Sequence, residues 1–517
     1  MDARKPLVTP VFNLHPLSAL VIILTVAVFS LSSDCFGYTL YDSENLNLSL
    51  GSYIRNDLVT FKNVVSLDSK NKDDSTVYLG IDYSIGLESE FKPGGQKFYL
   101  KLERNGLFDY DAPLFIHNTL MTSGGHIDPY RNEELLPEVE EFWLDTPIYD
   151  GYRFKIGLYA YAVGNGFSLN GGYENFGCAL FKESENFSWS LYYCRPDFNH
   201  KNRLGPKIHQ DIEQGIFYQP NAANFFAADV KFKKGENVLE PYIGVLADYT
   251  SAGKRDNIFT AQVERDILGT LGLAYTARLA SISWSVELAH NFGKGKTSDP
   301  EYKDITHTGY LIYSGLEYTG KKFKPSIQIL VASGNKVTPE MAEDETLTSG
   351  KNRAFSYYSP LNIHLEDSIS SINSDMLPIV AMGGGYGLNY GVPRPKTFAS
   401  GDFDNLIMPC LGIDFNPTDK FSIGVYQYYL RSFEKGVATL DGEGKYLPNE
   451  LGYETDLFID YQLNKHTLIS VLAGYFIPGK CYKERRDAEG SLLSPFVRGD
   501  GEPDNAYQIE LAVELKF

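Results

Sequence analysis

Beyond residue 31 this sequence has no apolar run long enough to cross a bilayer as a helix, which takes about 20 residues. The one strongly apolar stretch, LSALVIILTVAVFSL (17–31), follows Arg4 and Lys5 and precedes polar SSD and the small-residue site Cys35-Phe36-Gly37. That order fits a secretory signal cleaved after Gly37. A membrane anchor would need a longer run and stop-transfer charges after it. A lipoprotein site at Cys35 would need a small residue where Asp34 stands. Cysteine is scarce too: outside the signal only Cys178, Cys194, Cys410 and Cys481 remain. Cys178 and Cys194 lie on opposite faces of two hairpin arms, so no disulfide is expected between them. No Cys/His spacing suggests zinc. Excess positive charge is missing as well; the net charge is −19, a poor match to nucleic acid.

Aromatic residues are abundant, with 36 Tyr and 32 Phe. Membrane barrels use aromatics to line both bilayer interfaces. The chain ends in AYQIELAVELKF (506–517). There Tyr507, Ile509, Leu511, Val513, Leu515 and Phe517 share one face of an extended strand, and Gln508, Glu510, Ala512, Glu514 and Lys516 share the other, because strand side chains alternate with period two. The pattern recurs. VYLGIDYSIGLE (77–88) sets Val77, Leu79, Ile81, Tyr83, Ile85 and Leu87 against Tyr78, Gly80, Asp82, Ser84, Gly86 and Glu88. A face so small and polar makes a poor soluble core but a good wall for a water-filled channel.

Strands are predicted near 45–56, 76–91, 96–105, 138–146, 151–161, 174–183, 187–195, 224–234, 238–250, 268–279, 281–292, 307–319, 323–333, 404–416, 420–432, 452–464, 466–477 and 504–517, about eighteen in all, an even number as bacterial barrels require. Short turns (FKPGG, KESE, KKGEN, Ala280-Ser281, TGKK, NPTD, NK) alternate with long polar loops near 57–75, 106–137, 196–223, 251–267, 334–403, 433–451 and 478–503. One rim of short turns and one of long loops is the asymmetry of outer-membrane barrels. The expected fold is therefore an all-β transmembrane antiparallel barrel, with short periplasmic turns and long extracellular loops. Residues 1–37 would be the signal and 38–517 the barrel. The last strand should close on the first, its Phe517 tip serving as the handle for the outer-membrane assembly machinery.

Strand phase places the basic candidates Arg55, Lys97, Lys101, Arg153, Lys155, Lys231, Arg278 and Lys324 inside the lumen. Rings of Arg and Lys favour anions in pores. The same phase rule turns more acids inward: Asp82, Glu88, Glu103, Asp229, Glu240, Asp248, Glu287, Glu317, Asp414, Glu454, Asp456, Asp460, Glu510 and Glu514. Two readings stay open: a basic constriction at one height, or cations that merely pair with acids across the wall. GGGYGLNYG (383–391), with Arg394 and Lys396 beside it, lacks the following Lys-Ser/Thr of a phosphate loop and reads as flexible backbone folded into the lumen. DGEG (441–444) and GDGEPDN (499–505) match no EF-hand loop and read as acidic turns. No His lies in a nucleophile motif; no catalytic residue, cofactor or metal is expected.

The stretches DFDNLIMPCLGIDFNPTDKFSIGVYQYYLRSFEKG (402–436) and LGYETDLFIDYQLNKHTLISVLAGYFIPG (451–479) resemble the C-terminal part of the alginate export family of outer-membrane porins. The resemblance rests on Asn405-Leu406, Asn416-Pro417, Leu430-Arg431, Gly452-x-Glu454-x-Asp456-Leu457 and Gly474-Tyr475-Phe476-x-Pro478-Gly479; GNGFSLNGG (164–172) is a fainter echo. It implies an eighteen-stranded monomeric barrel in the outer-membrane lipid, passing an anionic polysaccharide through a basic constriction. Fold does not fix substrate. The alternatives are a general or cation-preferring porin for small polar solutes, and a surface adhesin or scaffold barrel.

Overall fold

The computed structural model describes residues 38–63, 67, 75–109, 138–171, 176–195, 224–249, 263–297, 300, 303–343, 350–355, 378–382, 405–440, 443–483 and 503–516. The signal segment, Phe517, the glycine-rich stretch 383–391, Arg394 and Lys396 lie outside the described residues, as do the side chains of Asp82 and Asp248.

The main sheet has 21 strands. Three are short pieces, Tyr38–Asp42, Ile305–His307 and Lys351–Asn352; the other eighteen make the wall. In chain order they are β1 Leu46–Lys62, β2 Ser75–Phe91, β3 Gln96–Asp109, β4 Glu138–Tyr149, β5 Tyr152–Leu158, β6 Phe176–Glu183, β7 Phe187–Cys194, β8 Asn224–Lys234 and β9 Asn237–Asp248. The second half comprises β10 Val263–Leu279, β11 Ile282–Thr297, β12 Tyr310–Tyr318, β13 Phe323–Ala332, β14 Leu406–Thr418, β15 Phe421–Ser432, β16 Glu450–Asn464, β17 Thr467–Pro478 and β18 Ala506–Lys516.

Each of these strands pairs antiparallel with its neighbour in the chain, and β18 returns to β1 with the register Tyr53↔Lys516 to Lys62↔Tyr507. Closure leaves no long unpaired edge. The short strand Tyr38–Asp42 continues alongside β1 where β18 stops, with Tyr38 opposite Leu50. The described helices are single turns: Pro339–Glu343, Ile379–Met382 and Lys480–Lys483.

Alternation explains which face points out. Leu271, Leu411 and Ile327 are 56%, 60% and 54% exposed, on the outer side, where a bilayer rather than water would cover them. The turns follow local chemistry. Asp150-Gly151 joins β4 to β5 with φ of 45° and 76°, the two positive values of a type I′ hairpin. Ala280 takes a φ of 55° in the equally tight β10–β11 turn.

The predicted strand order and closure hold, but several boundaries move. β1 runs on to Lys62, so most of 57–75 is strand or lies outside the described residues; β10 starts at Val263 and β3 ends at Asp109. β5 stops at Leu158 rather than 161. Beyond it the chain leaves the wall and enters the lumen. Cys178, Cys194, Cys410 and Cys481 form no disulfide with one another; Cys178 stands opposite Tyr193 and Cys194 is buried on the other face.

Candidate functional site: the lumen

Among the described residues, two segments fold into the barrel and pack against its inner wall. The first follows β5. Tyr159, Tyr161, Val163, Phe167 and Leu169 are all buried, and Tyr161 pairs briefly with Gly171 and Ala162 with Asn170. Tyr161 stacks on Tyr192 with centroids 4.1 Å apart and planes 2° from parallel, and its hydroxyl donates to Asp229 Oδ1 at 3.0 Å. The tip is held by Glu287 of β11, which is fully buried. Its carboxylate accepts from Ser168 Oγ at 2.8 Å, the Tyr242 hydroxyl at 2.7 Å and the Asn165 backbone N–H at 2.7 Å. Phe167 reaches Tyr313 at 4.4 Å. Gly164 makes the approach possible, with a φ of 62° and a Cβ position that would meet Tyr242, Ala274 and Glu287 at 3.1 Å.

The second segment is Ile379–Met382, which docks on β16. Glu454 accepts the backbone N–H of Val380 and, at 2.7 Å, that of Ala381; Asp456 accepts that of Ile379 at 3.0 Å. Both acids are fully buried. They satisfy the first N–H groups of a helical turn, which have no partner within the helix. Tyr428, Phe476 and Tyr482 pack into the same cluster. Ile379–Met382 thus folds into the lumen immediately before the glycine-rich stretch 383–391, for which that placement was expected and which lies outside the described residues.

This changes what the inward acids do. Asp229, Glu287, Glu454 and Asp456 hold the inward segments, and Glu240 is buried beside Lys231 at 3.3 Å. Counting them as water-facing charge, as strand phase does, overstates the negative field of the lumen.

The basic candidates are placed as follows. Arg55 is buried: it bonds Asp57 at 2.6 Å and bridges to Glu510 across the β1–β18 seam, so it is a closure residue and not an open pore lining. Arg278 sits by the turn rim against Glu236 at 3.4 Å, and Lys324 is in register with Asp414 near the same rim. The remaining four converge on β3–β5. Lys97 lies 4.0 Å from Glu90, Lys101 pairs with Glu103, and Arg153 bonds Asp145 at 2.9 Å and the Gly95 carbonyl at 3.0 Å. Lys155 has no carboxylate within ion-pair distance among the described residues. Its Nζ lies over the Trp143 ring at 3.9 Å and the Tyr159 ring at 4.3 Å, as a cation over aromatic faces does.

The inner wall of β2–β5 carries a lattice of mostly half-buried side chains, and the first inward segment reaches its β4–β5 edge, where Tyr159 lies over Lys155 and Trp143 packs against the same buried cluster. Register sets its lattice. One row runs Gly86, Lys101, Glu141; the next Glu88, Tyr99, Trp143, Gly157; the third Glu90, Lys97, Asp145, Lys155. These side chains are half-buried or exposed, unlike those behind the two inward segments. Acids and bases alternate around two aromatic rings.

Strand order, closure, inward-folded segments and a charged lumen are the features of a porin. The BenF-like porin from Pseudomonas fluorescens Pf-5 superposes with a TM-score of 0.50 at 8% identity, over 91% of this chain and 98% of that one. The chain has the fold of an outer-membrane porin. The outer membrane protein opdK of Pseudomonas aeruginosa (TM-score 0.49, 9% identity, 91% and 98% covered) and OccK11 of the same organism (0.48, 11%, 91% and 96%) are also similar. At such identities the likeness is one of fold alone. No family model matches the sequence, and no curated protein does.

Strand phase found the basic residues of β3–β5 but missed the anchors. Glu454 and Asp456 were legible only as inward acids, and GNGFSLNGG carried the one local signal, a glycine-rich break after a strand.

Proposed function

We propose that this barrel is a passive diffusion channel for small polar solutes, and that they pass along the half-exposed inner wall of β2–β5. The observation that carries this reading is the lattice of alternating charges there, beside the two segments, 159–171 and Ile379–Met382, that fold into the lumen. Paired charges offer hydrogen bonds to polar solutes of either sign while leaving only a weak net field. Lys155 rests on rings rather than on a carboxylate, and Glu88 and Glu141 on the same wall offset it, so the field stays weak. Selection is by width and wall chemistry, with no reaction taking place.

Export of an anionic polysaccharide, implied by the likeness of 402–479 to the alginate export family, has less support. A polymer must thread the lumen as a chain, and two anchored segments lie in its way. The protein would reach the outer membrane after removal of residues 1–37, be assembled by way of its last strand and act as a monomer.

The test is the reversal potential across a planar bilayer under a salt gradient, for the wild type and for Arg153→Ala/Lys155→Ala. A weak preference that moves toward cations in the variant is the expected outcome. Strong cation preference, unchanged in the variant, would mean that other acids set the field. A folded barrel with no conductance would favour the scaffold reading.

A further inference from the structure

The lattice contains one ring placed unlike the others. Tyr99 projects from β3 into the lumen, in register with Glu88 on one side and Trp143 on the other. A Cβ built on neighbouring Gly86 would meet the Tyr99 hydroxyl at 3.0 Å and ring carbons at 3.5 Å. The ring therefore leans over the glycine, along the wall rather than upright from it. Trp143 supports it from the β4 side, at 5.5 Å between centroids and 32° between planes. The Trp143 indole is itself fixed by a bond from Nε1 to Glu141 Oε2 at 3.3 Å, with Lys155 Nζ over its ring.

The result is a half-buried aromatic face lying along the wall of a water path. Lys101, ion-paired with Glu103, stands at one edge, and Glu141 lies opposite Lys101. Ring faces take up flat apolar surfaces, and adjacent charged groups give strong hydrogen bonds to hydroxyls. A pyranose offers both, since its C–H groups line one face and its hydroxyls project around the rim. An acyclic polyol with as many hydroxyls has no such face.

From this juxtaposition we infer that Tyr99 is the platform of a sugar subsite: a pyranose stacks on its ring and hydrogen-bonds Lys101 and Glu141 at its edge. The inference rests on the diffusion-channel reading and names its solute class. Gly86 is part of the device: a Cβ there already crowds the Tyr99 hydroxyl at 3.0 Å, and a branched side chain would displace the ring.

The experiment measures solute-induced fluctuation of single-channel current in planar bilayers, with glucose and sorbitol compared at equal concentration. In the wild type, glucose is expected to interrupt the current and sorbitol not to. In Tyr99→Ala the apparent glucose affinity should fall about fivefold or more, the low end of the loss when one stacked aromatic face is removed. Gly86→Val, which keeps the ring but displaces it, should fall similarly. Tyr318→Ala, on the outer face, is the control and should retain the glucose response. Equal responses to glucose and sorbitol in the wild type would overturn the subsite while leaving the channel intact. So would a glucose response that survives in both lumen variants. Absence of any salt conductance in the folded wild type would instead remove the channel reading beneath it.

Discussion

Replacing Glu287 with alanine tests whether 159–171 limits the channel. The change removes one acceptor from three donors: Ser168 Oγ, the Tyr242 hydroxyl and the Asn165 N–H, all at 2.7–2.8 Å. A hydrogen bond to a charged group contributes roughly 1.5–3 kcal/mol net, and an orphaned buried donor costs about 1–3 kcal/mol. The three bonds share one acceptor, so they do not add in full, and about 3 kcal/mol is the expected loss. The tip keeps the Phe167–Tyr313 contact and, further back, Tyr161 on Tyr192. Each aromatic pair is worth about 0.5–1.5 kcal/mol beyond its buried area. A loss of about 3 kcal/mol lowers the ratio of docked to released tip by roughly a hundredfold. The wall itself keeps its β10–β11–β12 register. Expected, then, is a barrel that still migrates as a folded species on unheated gels but conducts more and with noisier current. Glu287→Gln, which retains one acceptor oxygen, should fall between. A folded Glu287→Ala barrel with unchanged conductance and noise would refute the reasoning: either the tip stays docked without Glu287 or it does not narrow the path.

Other expectations follow from the same geometry. A Cβ on Gly474 would approach Val380 Cγ2 at 2.8 Å and Ile379 Cβ at 2.9 Å; Gly474→Val should therefore dislodge Ile379–Met382 and raise conductance, and an unchanged current would count against that segment lying in the path. Arg55→Met leaves Asp57 and Glu510 facing each other, buried at the β1–β18 seam. Breaking such a set costs about 3–5 kcal/mol, so the variant should unfold at a lower urea concentration, and an unshifted midpoint would argue that the seam does not depend on it. Leu271→Arg puts a cation on the outer face, where about 2–4 kcal/mol is expected at the bilayer midplane; undiminished stability in lipid vesicles would mean that this face does not meet hydrocarbon.

The wall of the barrel could be read from the chain because its cause is local. Strand side chains alternate, so VYLGIDYSIGLE displays its outer and inner faces before any partner is known, and turns such as NPTD and Ala280-Ser281 mark where strands reverse. Closure of β18 on β1 followed from an even strand count and a regular final strand. What strand phase could not settle was height and company. Phase assigns Glu287, Glu454 and Asp456 to the inner face whether they meet water or backbone N–H groups. The segments that claim them, 164–168 and Ile379–Met382, are distant in sequence, more than seventy residues away in the case of Glu454 and Val380. Arg55 was misplaced for the same reason: its phase is right, but Glu510 reaches it only once the barrel closes. The sequence by itself determined a barrel wall of alternating faces. Tertiary structure alone decided which inward charges are taken up by buried contacts, because that depends on residues far apart along the chain.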